Sequence, residues 1–416
     1  MNRGGKRPDE KRIVVTGLGL VTPLGTGRQA FYERLFSGES AIRPVSAFDT
    51  SRFSSHLGAE VADFSPRDHV SLKNLRRMDR TSLLTAASAR LALTDAGVSV
   101  SEANRDRIGI ILGTAFAATD VTVQVADALL GQGPASVNPI LIPNTVMNAP
   151  AGHASIELGF RGVNTTVTHF AVSAETAIIY AVSEIRRGAA DVLLAGGVDI
   201  LSKFYYEVLT RFRGVSPQDG RNEGARPFDR ARNGYVPGEG CGLLCLETLA
   251  AARARGAKIY CEVLGAGLGS APTAPTAWPD ETGGIKRTLT KTLADAGIEA
   301  GRVAAVMAAA NGGKTLDQAE AEAYCEFFAD SGHTPAVTSI KGAIGESFSG
   351  GGVRACALAM ALEQRALPPT AGLVDPVWPL DFVFRERRDL AADCAVLAGI
   401  SFGGTFAYLA FGAMES

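Results

Sequence analysis

Histidine is scarce in this sequence: there are five in 416 residues. A metal site built from several imidazoles is therefore not expected, and no metal or cofactor is assigned. The six cysteines, Cys241, Cys245, Cys261, Cys325, Cys356 and Cys394, stand apart in apolar segments, and none forms a CxxC pair. That pattern argues against a zinc knuckle or a disulfide framework and predicts reduced, buried thiols, as in a cytoplasmic protein. Neither sign of charge is in excess. The 41 Lys and Arg against 43 Asp and Glu leave a formal charge of −2, so strong nonspecific nucleic-acid binding is not expected. No apolar run is long enough to span a bilayer. The opening MNRGGKRPDEKR lacks the apolar stretch of a signal peptide, and a disordered tail over residues 1–11 is expected.

What the chain does have is glycine, 47 residues of it, in a composition that is 46% hydrophobic. This suits an α/β protein with many tight strand-to-helix corners. Strands are predicted over 12–21, 108–114, 164–168, 190–200, 260–264, 303–310 and 336–340, with a closing hairpin over 394–400 and 406–411. Helices are predicted over 29–37, 72–98, 120–130, 173–187, 285–297, 318–328 and from the Gly350-Gly351-Gly352 run to Arg365. The GLG at Gly17-Leu18-Gly19 lacks the dinucleotide-binding spacing and is a weak cofactor signal. The strand–glycine–helix order occurs twice, which suggests an internal duplication with halves over 12–250 and 251–416.

The most telling absence lies at one corner. Asn164 to Thr168 reads as a buried strand, and Ser173 to Arg187 as a helix with apolar residues at Ala174, Ala177, Ile178, Ala181 and Ile185. The turn between them faces the free N–H groups and the positive end of the helix dipole, where a thiol would be activated. Ala171 occupies it. His169 reads as a core histidine with its hydrogen bonds satisfied. Lys73, Arg76 and Arg77 form a basic cluster that reads either as a solvated helix face or as a docking patch for an acidic partner. The apolar, irregular loop PASVNPILIPNTVMNAPAG is expected to be covered at a subunit interface.

AGHASIELGFRGVN, DVLLAGGVD, PFDRARNGYVPGEG and SFGGT, in this order, resemble the β-ketoacyl-ACP synthases of the thiolase superfamily over almost the whole chain. The resemblance implies an α/β fold of two pseudo-symmetric halves in five αβαβα layers, paired edge to edge as a dimer. It implies a catalytic Cys at the corner and two histidines in the second half. Here the corner is Ala171. Asn311 stands where the first histidine belongs, in a motif two residues shorter, and Glu346 replaces the second. Lys341 is retained, as are Asp317 and Glu320, which the resemblance assigns to bracing the loops. His153, in the AGH segment, reads as structural.

Loss of all three reacting groups resembles the chain-length factor, or ketosynthase β subunit, of type II polyketide synthases. That resemblance implies a heterodimer with a catalytic ketosynthase α subunit, service to an acyl carrier protein, and an acyl tunnel shaped by Phe116, Thr119, Thr122, Ala126, Ile140, Leu141 and Met147. The three helix positions share a face and are small, which reads either as a long tunnel or as ordinary close packing. Such subunits usually carry Gln at the corner; Ala171 points to a branch serving reduced or polyene chains. The resemblance also matches Lys73, Arg76 and Arg77 to a carrier-protein docking patch. Two other readings remain open: an acyltransferase or hydrolase using Ser173 or Ser401 with Glu346 or His169, and an engineered inactive ketosynthase, which would explain Ala171 but neither Asn311 nor Glu346.

Overall fold

The structure is a computed structural model that describes residues 7–390 and 394–414. Its first run of strands is β1 (Ile13–Thr22), β2 (Ile108–Gly113), β3 (Asn164–Val167), β4 (Val192–Asp199) and β5 (Gly240–Thr248). The second run is β6 (Cys261–Ser270), β7 (Ala305–Met307), β8 (Ala336–Thr338), β9 (Cys394–Ser401) and β10 (Thr405–Gly412). The order across the first run is β1-β5-β4-β2-β3, and across the second β6-β10-β9-β7-β8. Each places its first, fifth, fourth, second and third strand in the same sequence. The directions repeat as well: β2 runs parallel to β3 and β4, and β7 parallel to β8 and β9, while the remaining neighbours are antiparallel. This double topology bears out the α/β, thiolase-like reading. The two runs join where Ile13 to Val15 pairs with Cys261 to Val263.

The helices that matter for the site are α1 (Arg80–Asp95), α2 (Thr119–Gln132), α3 (Ala149–Leu158), α4 (Ser173–Arg186), α5 (Lys203–Arg211), α6 (Gly283–Ala296), α7 (Lys314–Phe328) and α8 (Gly351–Gln364). The central pair, α4 and α8, packs against strands of both runs; α1 and α3 cover the first run outside, and α6 and α7 the second. Small residues on both central helices allow this close packing: nearly all of α8 is buried, and Ala174, Ala177, Ala181 and Ile178 are the inward face of α4. Among the described residues, no helix is long and apolar enough to cross a membrane.

Several expected elements change on folding. The GLG motif lies inside β1. A Cβ at Gly19 would sit 1.9 Å from the Ser88 carbonyl oxygen, so these glycines let α1 approach the strand. The helix expected over 72–98 is broken before Arg80, because the Asp79 side chain accepts from the Ser82 N–H and caps a new helix. The strand expected over 303–310 pairs only at Ala305–Met307. Residues 1–6 of the expected tail lie outside the described residues. Arg7 to Lys11 are held to the body, with Arg7 bonded to Leu264 O at 2.6 Å and Asp295 Oδ1 at 2.7 Å, and Asp9 paired with Arg12 at 3.3 Å. The strand at the corner, β3, is not buried but is the free edge of the sheet, with Asn164 and Thr165 exposed.

The two halves are tied at the centre by charge. Arg354 of α8 pairs with Glu175 in the first turn of α4, and also donates to Ala308 O at 3.1 Å. Both residues are at most 1% exposed. Burial raises the Glu175 carboxyl, and Arg354 opposes that rise. Arg354→Met would leave a buried carboxylate without its cation. It is expected to cost about 3–5 kcal/mol of unfolding free energy by urea denaturation. The double variant with Glu175→Gln should cost less than the sum of the single changes.

Two more buried carboxyls hold loops. Asp199 accepts from the N–H groups of Phe116 and Ser349, and burial lifts it to about 6. Asp317 accepts from Phe228 and Asn311, and burial lifts it to about 7. An unfolded Asp titrates near ~3.9, so the folded chain keeps protons that the unfolded chain has released. Their contribution is complete below about pH 4 and is lost as pH rises through these two values. The urea midpoint is therefore expected to fall between about pH 5 and pH 8, with protons released on unfolding near pH 6. A midpoint that climbs over that interval would contradict this assignment.

Candidate functional site

Strand β3 ends at Val167, and the chain turns through His169 and a single 3-10 turn, Phe170–Val172, into α4. Phe170 is held at φ 50, a left-handed conformation that costs a side chain with a Cβ roughly 1–2 kcal/mol. The strained elbow is thus present without a reacting atom on it. Ala171 is 2% exposed. Its N–H donates to Ser401 Oγ at 3.1 Å. The Ser173 hydroxyl donates to Phe170 O at 2.7 Å and accepts from the His169 N–H at 2.9 Å. Both serines weighed as alternative nucleophiles therefore brace the corner, and neither is hydrogen-bonded to a histidine ring among the described residues.

The two other degenerate positions meet in the second half. Glu346 Oε2 accepts from Lys341 Nζ at 2.6 Å and from Asn311 Nδ2 at 2.8 Å, while Oε1 accepts from the Phe348 N–H at 2.9 Å. Asn311 uses its own carbonyl to accept from the Gly313 N–H at 2.9 Å. Lys341 is 4% exposed and Glu346 1% exposed. Burial lowers the Lys341 ammonium pKa, and Glu346 opposes that shift. Each member of this network has a hydrogen-bond partner within it. Asp317 and Glu320 brace the surrounding turn as expected. Asp317 collects the Asn311 and Gly312 N–H groups, and Glu320 those of Ala309 and Ala310.

The space in front of Ala171 is filled by aromatic rings. Phe170 packs on Phe348 at 5.1 Å, on Phe116 at 5.2 Å and on Phe402 at 5.4 Å, and Tyr205 of α5 lies 4.2 Å from Phe116. Trp278 stacks on Phe402 at 4.0 Å. The sequence reading missed Phe348, Tyr205, Phe402 and Trp278. For Phe402, its place beside Ser401 in SFGGT was the available signal. Phe116, grouped there with the tunnel positions, belongs to this cluster.

The remaining candidates lie elsewhere. On α2, Thr122 is exposed while Thr119 and Ala126 are half-buried; in the following loop Ile140 is exposed, and Leu141 and Met147 are half-buried. Only Val121 of α2 is buried. Lys73, Arg76 and Arg77 are exposed together. His169, expected in the core, is exposed at the sheet edge, with Nδ1 3.4 Å from Thr176 Oγ1. His153 is half-buried and bonded through Nε2 to Asn144 at 2.7 Å, the structural role expected of it. No group of His, Cys, Asp and Glu that could hold a metal occurs among the described residues.

Comparison with known proteins gives this arrangement its context. Residues 10–252 match the β-ketoacyl synthase N-terminal domain and residues 260–374 its C-terminal domain. The chain is 33% identical to a 3-oxoacyl-[acyl-carrier-protein] synthase 2 of Synechocystis sp., over 97% of this chain and 98% of that protein. The ishigamide ketosynthase/chain length factor superposes with a TM-score of 0.89 at 30% identity, covering 97% of this chain and 99% of that one. A β-ketoacyl synthase from Burkholderia phymatum superposes with a TM-score of 0.88 at 27% identity, over 97% of this chain and 100% of that one. With matches that span both halves and a fold that superposes along nearly its whole length, the chain belongs to the β-ketoacyl synthase family.

Proposed function

We propose that this chain is a non-catalytic ketosynthase-like subunit, a chain-length factor, that pairs with a catalytic ketosynthase and bounds the tunnel in which a carrier-bound acyl chain grows. The observation that carries the proposal is the Lys341–Glu346–Asn311 network beside an Ala171 whose N–H is already capped. Condensation needs a nucleophile, a free oxyanion donor and groups that stabilise the enolate. Here each position is occupied by a group that cannot serve. A single engineered change at Ala171 would explain neither the network nor the Ser401 contact. The likeness to a ketosynthase/chain length factor supports the same reading.

The outer surface supports the pairing. The free edge β3 packs against α3, which leaves Ile156 69% exposed, and α2 leaves Leu130 86% exposed. Helix α2 is apolar yet buries one residue, which suits a surface covered by another chain. Across that contact Thr119, Thr122 and Ala126, with Ile140, Leu141 and Met147, would line the tunnel. Lys73, Arg76 and Arg77 would steer the acidic helix of the carrier, mainly by raising the encounter rate.

Coexpressed with the ketosynthase of its own biosynthetic system, the chain should copurify one to one. Ala126→Trp should then shift the carrier-bound products to shorter chains by mass spectrometry, with little change in copurification. Unchanged product lengths would remove α2 from the tunnel. Ala171→Cys alone should stay unacylated by an acyl-carrier substrate, because Ser401 still holds the corner N–H. Rapid acylation of that single variant would mean the corner remains competent and the chain is a recently disabled synthase.

A further inference from the structure

From Ile108 to Phe160 the sequence contains no lysine and no arginine. This stretch comprises β2, α2, the apolar loop and α3, and it supplies half of the large exposed apolar side chains among the described residues: Leu129, Leu130, Ile140, Ile142, Val146 and Ile156. Its acids are Asp120, Asp127 and Glu157. Glu157 is committed elsewhere, to Arg90 at 2.9 Å and to Ser71 and Asn74. Asp120, Gln124 and Asp127 follow one another at intervals of four and three, so they share one face of α2. Gln124 donates to Asp120 at 3.4 Å. Neither aspartate has an ion pair among the described residues. Asp127 is exposed and Asp120 half-buried. Burial already raises the Asp120 carboxyl, with a further push from Asp79.

An isologous dimer puts the same patch on both sides of its axis. Two copies of this chain joined here would enclose four carboxylates and gain no cation from the stretch. A different chain can bring its own counter-charge. We infer that Asp120 and Asp127 make this face reject a second copy of itself and accept a ketosynthase-fold partner whose facing segment carries Lys or Arg. This rests on the reading that the face meets another condensing subunit. It adds which chain is chosen and by what charge.

The test is sedimentation velocity of the chain alone, compared with Asp120→Asn/Asp127→Asn, at low and high salt. The double variant is expected to self-associate at least about tenfold more tightly at low salt, because like charges across an interface are costly. The wild type should self-associate more readily as salt screens the carboxylates. In coexpression with the ketosynthase, the same double variant should bind less tightly than wild type. Should the pair of changes impair folding, the exposed Asp127→Asn alone is read, with the same sign and a smaller effect. No gain in self-association over wild type, including no detectable dimer of either protein, overturns the inference, as does a wild-type homodimer that weakens with salt. A gain in self-association without any capture of the ketosynthase would uphold the charge rejection and sink the partner reading instead.

Discussion

The structure depends on a buried carboxylate that has found a cation. Glu346 is 1% exposed, and in that low-dielectric interior a lone carboxylate would be intolerable. Lys341 neutralises it at 2.6 Å, and Asn311 and the Phe348 N–H take further lone pairs. A neutral Asn at 311 donates to the carboxylate, whereas an imidazole there would bring another titrating group into the same small space. The result is a buried polar knot which, under the proposed reading, leaves nothing to react.

At the other side of the site the change is one of shape. The Phe170 elbow keeps its left-handed backbone. Ala171 removes the sulfur, Ser401 occupies the amide, and the rings of Phe116, Phe170, Phe348, Phe402 and Tyr205 close the volume in front. Arg354 and Glu175 lock the two central helices behind it. Under the proposed reading, rigidity that in a synthase would position reacting atoms serves to fix a surface, the apolar face around α2 and the edge strand β3.

Much of this was legible in the sequence. The repeated strand–glycine–helix order gave the doubled sheet, and local motifs located Ala171, Asn311, Lys341 and Glu346. What stayed hidden depends on distant contacts. The Ser401 hydroxyl meets the Ala171 amide across 230 residues, and no local pattern reports that. The aromatic cluster draws from six separate segments. Asn164 to Thr168 reads as a buried strand because a β-branched run does not say which chain will cover it; in this chain it is an edge. His169 was misplaced for the same reason. The break before Arg80 was signalled by Asp79, a good capping residue, but the long apolar period around it masked the stop.

The most direct measurement is made on the purified chain by itself. It is incubated with an acyl-primed carrier protein and malonyl carrier, and the carrier-bound species are weighed intact. The account predicts no two-carbon increment on any carrier, and increments once the ketosynthase is added. A carrier-bound chain lengthened by this protein alone would contradict it.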